Sequence, residues 1–323
     1  MASDYGLNWT DLGIIDSNGI WVMAYLDNGI TVLAALDDHV YRSTDYGATW
    51  TDLGVFTSNH IVPIAYLGNG IAILGDYDGH VYRSTDYGAS WTDLGLISSS
   101  ATAIDRQIWV MVNLGGGITV MGDHGGHIYR STDYGASWSD LGVVTSSAIR
   151  SMVYLGNGIT MVGEGNKHIW RSMDYGITWS DLGTTLSIIY SMASLGNGIG
   201  IMGDAGGRIY RSTDYGANWS NLGVITNTYI IYCMAYLGKG IAIFGDAGGY
   251  VYRSTDFGAT WSNLGVISSG SIYGMAYLSR GVAILGDEYG HVYRSASVIA
   301  HRHHPTIPTE PNRGKELSRM GSL

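Results

Sequence analysis

Apolar runs along this chain are short, and clusters of Gly, Asn and Asp interrupt them at regular intervals. The stretch 61–94 shows the unit. One apolar run at 61–67 ends at Gly68-Asn69-Gly70, and a second at 71–75 ends at Asp76-Tyr77-Asp78-Gly79. A third covers 80–84, and a fourth covers 89–94 after the turn 85–88. Runs this short between turn residues predict strands, and Gly and Asn supply the positive φ that tight hairpins need. Ile71, Ala72, Ile73 and Leu74 show little polar alternation, so both faces of that strand are expected to be covered, as when sheets stack on one another.

The unit recurs. A Trp closes the segment Tyr-Arg-Ser-Thr-Asp-Tyr-Gly-Ala-Thr-Trp or its variants at 9, 50, 91, 138, 179, 219 and 261. The spacings are 41, 41, 47, 41, 40 and 42 residues. The Arg of Tyr-Arg-Ser stands at 42, 83, 130, 171, 211, 253 and 294, with Trp170 replacing the Tyr in the fourth copy. Four antiparallel strands per period of this length, in units unable to bury their own faces, predict an all-β, seven-bladed propeller. The chain is permuted against its unit, beginning with a fourth strand at 7–12 and ending with a third at 292–295. Seven complete blades therefore require the N-terminal strand to finish the C-terminal blade, which removes two exposed sheet edges. Residues 1–295 form the propeller in this reading. Residues 296–323, which hold three of the four prolines, form a flexible or partner-docked tail.

Composition adds exclusions. With 48 Gly, 24 Tyr and 10 Trp against three Phe, the chain reads as many short strands and tight turns. Net charge is −10, and the tail's four Arg/Lys and two Glu leave −12 on residues 1–295. Nucleic acid is thus an unfavourable partner. The sole cysteine, Cys233, excludes a disulfide framework. No apolar run reaches 18 residues, which argues against membrane insertion, and the N-terminus lacks the pattern of a secretory leader. The compartment stays open, since a virion or surface protein released by lysis needs no leader.

The turn Ser43-Thr44-Asp45-Tyr46-Gly47-Ala48-Thr49-Trp50 resembles the Asp-box, Ser-x-Asp-x-Gly-x-Thr-Trp. It places the chain with the Asp-box (BNR repeat) β-propeller superfamily, which includes sialidase-like, sortilin-like and photosystem II assembly factor-like propellers. A degenerate copy, Ala2-Ser3-Asp4-Tyr5-Gly6-Leu7-Asn8-Trp9, opens the chain. Asp45, Asp86, Asp133, Asp174, Asp214 and Asp256 are expected to accept backbone N–H groups inside their turns, and the box Trp to pack between blades. The resemblance implies that the boxes lie away from any active centre. It names a fold and leaves function open.

Function in an array belongs where the copies diverge. Asp76, Asp123, Glu164, Asp204, Asp246 and Asp287 open the turn after the second strand, with Ala35 breaking the series, and most are followed by a His four residues on. They read as hairpin acids, and no metal or cofactor is assigned. The loops from the fourth strand to the next first strand vary most, and the one at 97–107 is longest. Near the start of the first strand, one equivalent position holds Trp21, Val62, Trp109, Arg150, Tyr190, Tyr232 and Tyr273, placing five aromatics around the mouth of a central channel. Arg106 and Arg208, with Arg150, lie outside the Tyr-Arg-Ser repeat on that face, and His60 stands in a loop of the same face. Trp21, His60, Arg106, Trp109, Arg150, Tyr190, Arg208, Tyr232 and Tyr273 are therefore the candidate binding residues. The expected function is a non-catalytic binding or structural module, a multivalent glycan- or protein-binding virion or surface protein, with an assembly partner for the tail. The alternative is a sialidase-like glycoside hydrolase using Arg106, Arg150 and Arg208 as a carboxylate-binding triad. Only Glu164 and Glu288 lie in the propeller, and no acid pair suited to glycoside hydrolysis is visible.

Overall fold

The computed structural model describes residues 4–57, 59–227 and 229–295; the predicted tail lies outside the described residues. Seven four-stranded antiparallel sheets form a ring. Within each blade the strands run A to D from the channel outward, as in blade 2: Ile61–Gly68, Ile71–Asp76, His80–Ser84 and Thr92–Leu96. Strand D starts later than the expected 89–94 because the Ala89 and Ser90 N–H groups are already committed to Asp86 in the turn. The A–B hairpin turns through Asn69 and Gly70, both at positive φ (53° and 79°), the two-residue turn whose twist matches the strands.

The ring closes with the chain ends. Trp9–Ile14 pairs with His291–Ser295, Trp9 opposite Ser295 and Thr10 opposite Arg294. Even the seventh Asp-box is shared: the Gly6 N–H donates to Ser295 Oγ at 3.1 Å. In blade 1 the same bond runs from Gly47 N–H to Ser43 Oγ within one turn, at 2.9 Å. Asp45 there accepts the Thr49 N–H at 2.9 Å and the Thr49 hydroxyl at 2.7 Å. The box also holds Tyr46 in the left-handed region at φ 58°, a strained position for an aromatic residue.

Blades join through apolar clusters and a polar contact that recurs at every junction. Between blades 3 and 4, Val120 and Ile128 meet Ile149, Met152 and Val162, flanked by the box residue Trp179. Ile149 is fully buried, worth about 1.5–3 kcal/mol relative to exposure. Gly122 makes room for it: a Cβ there would lie 2.7 Å from Ile149 Cγ2. The Arg of each Tyr-Arg-Ser donates its Nε–H to a backbone carbonyl in the next blade's Asp-box. Arg42 reaches Tyr87, Arg83 reaches Tyr134, Arg130 reaches Tyr175 and Arg171 reaches Tyr215. Arg211 reaches Phe257, Arg253 reaches Tyr5 and Arg294 reaches Tyr46, completing the circle.

The five aspartates at the end of strand B are buried and accept N–H groups of their own turns, whereas the buried Glu164 carboxyl of blade 4 accepts none. Asp123 accepts the His127 N–H and the hydroxyls of Tyr129, Ser98 and Ser100. Blade 1, with Ala35 at that position, takes the carboxylate from the loop that precedes its first strand. Asp16, in the loop position that Ser98 holds ahead of blade 3, accepts the Tyr41 hydroxyl at 2.7 Å and the Asn18 N–H at 2.7 Å. The histidines after these turns face strand D, where His39, His80, His127, His168 and His291 pair with Asp52, Asp93, Asp140, Asp181 and Asp11. Blades 5 and 6 change both members together, to Arg208 with Asn221 and Tyr250 with Asn263.

Candidate functional site

Every strand A begins with an Ile that is at most 1 % exposed, anchored between blades: Ile20, Ile61, Ile108, Ile149, Ile189, Ile231 and Ile272. Alternation turns the next side chain the other way, toward the axis. The A–B register also slips just there, as between Ile108 and Val110, and between Ile149 and Ser151. A β-bulge re-aims the side chain it carries. The consequence is a cavity of about 330 Å³ at the channel mouth, lined by Trp21, Val22, Val62, Trp109, Arg150, Tyr190, Tyr232 and Tyr273. A second cavity of about 250 Å³ shares these walls and adds Met23, Met111, Met152, Met192, Met234 and Met275. All seven residues singled out at the start of strand A therefore converge.

The mouth has two unlike sides. Over blades 5, 6, 7 and 1 the rings form an arc. Tyr190 meets Tyr232 edge-on at 5.8 Å, Tyr232 meets Tyr273 at 5.0 Å, and Tyr273 meets Trp21 at 4.7 Å. Burial pushes the Tyr232 and Tyr273 phenols up, so both stay protonated donors at neutral pH. Over blades 3 and 4 stands a cationic stack, with the Arg150 guanidinium carbon 4.1 Å from the Trp109 ring centre. Tyr77 stacks on Trp109 at 5.5 Å and His124 lies 6.1 Å from it. Burial, helped by the Arg150 charge, pulls His124 below its ordinary value, leaving it neutral at pH 7. Among the described residues Arg150 makes no ion pair, and both its buried Nε and the buried His124 Nδ1 have no hydrogen-bond partner. A buried polar atom without a partner is costly, so these two atoms set this side of the mouth apart from the aromatic arc.

The other candidates lie elsewhere. Arg106 donates its Nε–H to the Ser100 carbonyl at 3.0 Å, bracing its own loop. Arg208 begins strand C of blade 5 and sits 3.5 Å from Asp204 of its own turn. Of the three arginines only Arg150 lines the mouth, so the structure does not gather them into a triad. Glu164 is 1 % exposed in blade 4, its carboxyl raised by burial, while Glu288 stands 3.5 Å from the Tyr273 hydroxyl in blade 7. His60 is exposed, pairs with Asp38 at 3.1 Å and meets Tyr77 edge-on at 5.5 Å, at the rim. Tyr77 and His124 escaped the sequence reading. The signal was there: their place in the B–C turn holds Gly165, Ala205 or Ala247 in other blades. Among the described residues no cluster of His, Cys, Asp or Glu could hold a metal ion, and no helix is long and apolar enough to cross a membrane.

Comparison with known proteins agrees with the fold. Residues 169–182 match the BNR-Asp box repeat family. YCF48 bound to D1 peptide superposes with a TM-score of 0.74 at 20% identity, over 91% of this chain and 98% of that one. YCF48 from Cyanidioschyzon merolae gives 0.71 at 15% identity, over 89% and 98%. Virginiamycin B lyase from Staphylococcus aureus gives 0.77 at 12% identity, over 89% and 98%. No curated protein matches the chain in sequence. At these identities the likeness is one of fold.

Proposed function

We propose that this propeller is a non-catalytic binding module whose channel mouth receives an acidic peptide segment, a ligand carboxylate docking on Arg150. The observation that carries this is the guanidinium stacked on Trp109 with its buried Nε unpartnered, beside the equally unpartnered His124 Nδ1. A planar fork fixed by stacking suits a carboxylate, and the aromatic arc opposite offers apolar faces to neighbouring ligand side chains. A propeller of similar fold, YCF48, binds a D1 peptide, which supports a peptide as occupant. Hydrolase chemistry has no support at this mouth, because the arginines are dispersed and the two glutamates occupy different blades.

The test is titration of wild type and Arg150→Ala against a fluorescent peptide panel, acidic sequences beside their Asn/Gln counterparts, with sialylated glycans as a parallel arm. Acidic peptides should bind, the variant should lose about tenfold, since a charge-assisted hydrogen bond is worth about 1.5–3 kcal/mol, and salt should weaken the complex. Binding confined to the sialylated arm would make the occupant a sugar acid. Equal affinity of wild type and variant across the panel would remove Arg150 from the site.

A further inference from the structure

The seven junctions between outer strands supply an internal control. Directly after strand D, or one residue on, each blade presents a side chain to the gap before the next blade. Six of these are apolar and pack into the inter-blade clusters: Ile15, Phe56, Ile97, Val144, Ile225 and Ile267. The seventh is Thr185, which belongs to no cluster and turns its hydroxyl to the Lys167 and Ser187 carbonyls. At that junction, between blades 4 and 5, a cleft of about 470 Å³ opens, with Trp219 and Tyr210 in its wall.

What the vacant plug position would accommodate is visible three junctions away around the ring. Phe56 fills the equivalent space between blades 1 and 2. Its ring stacks on Trp91 at 6.1 Å with an interplanar angle of 16° and meets Tyr82 edge-on at 5.7 Å. Trp91 and Tyr82 are the repeat counterparts of Trp219 and Tyr210. The cleft therefore offers the room of a six-membered ring lying over an indole. Its rim mixes the exposed Leu182, Leu186 and Ala217 with Thr184, Asn218 and Asn221 and carries no charged side chain, unusual on so acidic a protein. Asn221 replaces the Asp that five blades hold, and with its Oδ1 taken by the Gly223 N–H it offers its amide N–H groups. Asn218 spends its own amide N–H on Asp214 and offers its carbonyl oxygen. The exposed Thr184 adds a hydroxyl.

We propose that the cleft between blades 4 and 5 is a binding site for a neutral hexopyranose, one sugar face stacked on Trp219 and its hydroxyls met by Asn221, Asn218 and Thr184. An apolar sugar face over an aromatic ring, with a few placed amides and hydroxyls, is the recognition such a lining provides. The site is distinct from the channel mouth and does not depend on the function proposed there.

The experiment uses the full chain and the methyl glycosides of glucose, galactose, mannose and N-acetylglucosamine, followed by saturation-transfer NMR and calorimetry, with phenol as a ring lacking the hydroxyl pattern. At least one glycoside should bind saturably and more tightly than phenol. Thr185→Phe, which rebuilds the Phe56 plug, should abolish that binding while keeping or raising the melting temperature. Asn221→Ala, whose lost exposed bond to the Gly223 N–H is replaced by water, should weaken it about tenfold, the worth of one or two neutral hydrogen bonds. Arg150→Ala should leave it unchanged. Absence of saturable binding by all four glycosides, phenol binding at least as tightly, or full affinity in Asn221→Ala would overturn the proposal.

Discussion

The acid that blade 1 carries on a loop instead of strand B can be tested by moving it back. Replacing Asp16 by Ser removes the acceptor of the Tyr41 hydroxyl (2.7 Å) and of the Asn18 N–H (2.7 Å). Asp16 is 6 % exposed and Tyr41 half-buried, so the phenol loses a charge-assisted bond where water only partly replaces it. One such bond is worth about 1.5–3 kcal/mol, and the Asn18 N–H recovers most of its loss from solvent, so Asp16→Ser should cost about 2 kcal/mol. Ala35→Asp alone should also destabilise, because it buries a second carboxylate facing Asp16. Together the two changes recreate blade 3, where Ser98 and Tyr129 both donate to Asp123. The double variant should therefore recover at least half the loss, a coupling of about 1–2 kcal/mol between positions 16 and 35. Urea denaturation of the four proteins in the cycle measures it. Additive single-variant costs would refute the idea that one carboxylate position substitutes for the other.

Deleting residues 1–14 removes the fourth strand of blade 7 and the Tyr5 carbonyl that receives Arg253; size-exclusion chromatography should show association or aggregation, and an unchanged monomer would contradict closure by the N-terminus. Asp133 is pushed up by partial burial, but donors from Ser137, Ser131 and Ala136 outweigh this and bring it to about 2, below its unfolded 3.8. Its contribution is thus complete above about pH 4 and lost as pH falls toward 2. Asp133→Ala should cost about 1 kcal/mol at pH 7, flatten that acid limb in thermal melts, and leave ligand affinity unchanged. His39 is raised above 6.5, chiefly by its hydrogen bond to Asp52. The pair therefore stabilises fully below pH 6.5 and loses this as pH rises through the folded value. Asp52→Asn should lower the melting temperature at pH 6 more than at pH 8, and an equal loss at both would show that the charge is immaterial.

Repetition is why the fold was legible. Seven copies of one strand pattern repeat the same evidence, and the Asn69-Gly70 and Asp-Tyr-Gly turns leave few other backbones open. The mouth was half legible: aligning the copies picks out position 109 and its equivalents, because strand A starts alike in every blade. Convergence of those side chains follows from ring closure and from the bulge after Ile108, and no local pattern announces either. The repeat arginines were opaque for a related reason, since Arg42 bonds a carbonyl 45 residues away. Arg106 and Arg208 misled because charge on a shared face says nothing about reach, and each has an acceptor within its own loop or turn. Thr185 became informative only once Phe56 showed what the other junctions contain.

The arginine contacts all run in one rotational sense, each blade giving to the next and receiving from the one before. In symmetry terms the junctions are heterologous, and the molecule is a cyclic heptamer with its protomers covalently strung together. A fragment of whole blades keeps a giving edge at one end and a receiving edge at the other, and satisfies both only by recruiting further copies. Seven is prime, so equal pieces can rebuild the ring only as single blades. Two- or three-blade fragments cannot close at that count, and their free edges lead to open-ended filaments unless a fragment of complementary size is supplied.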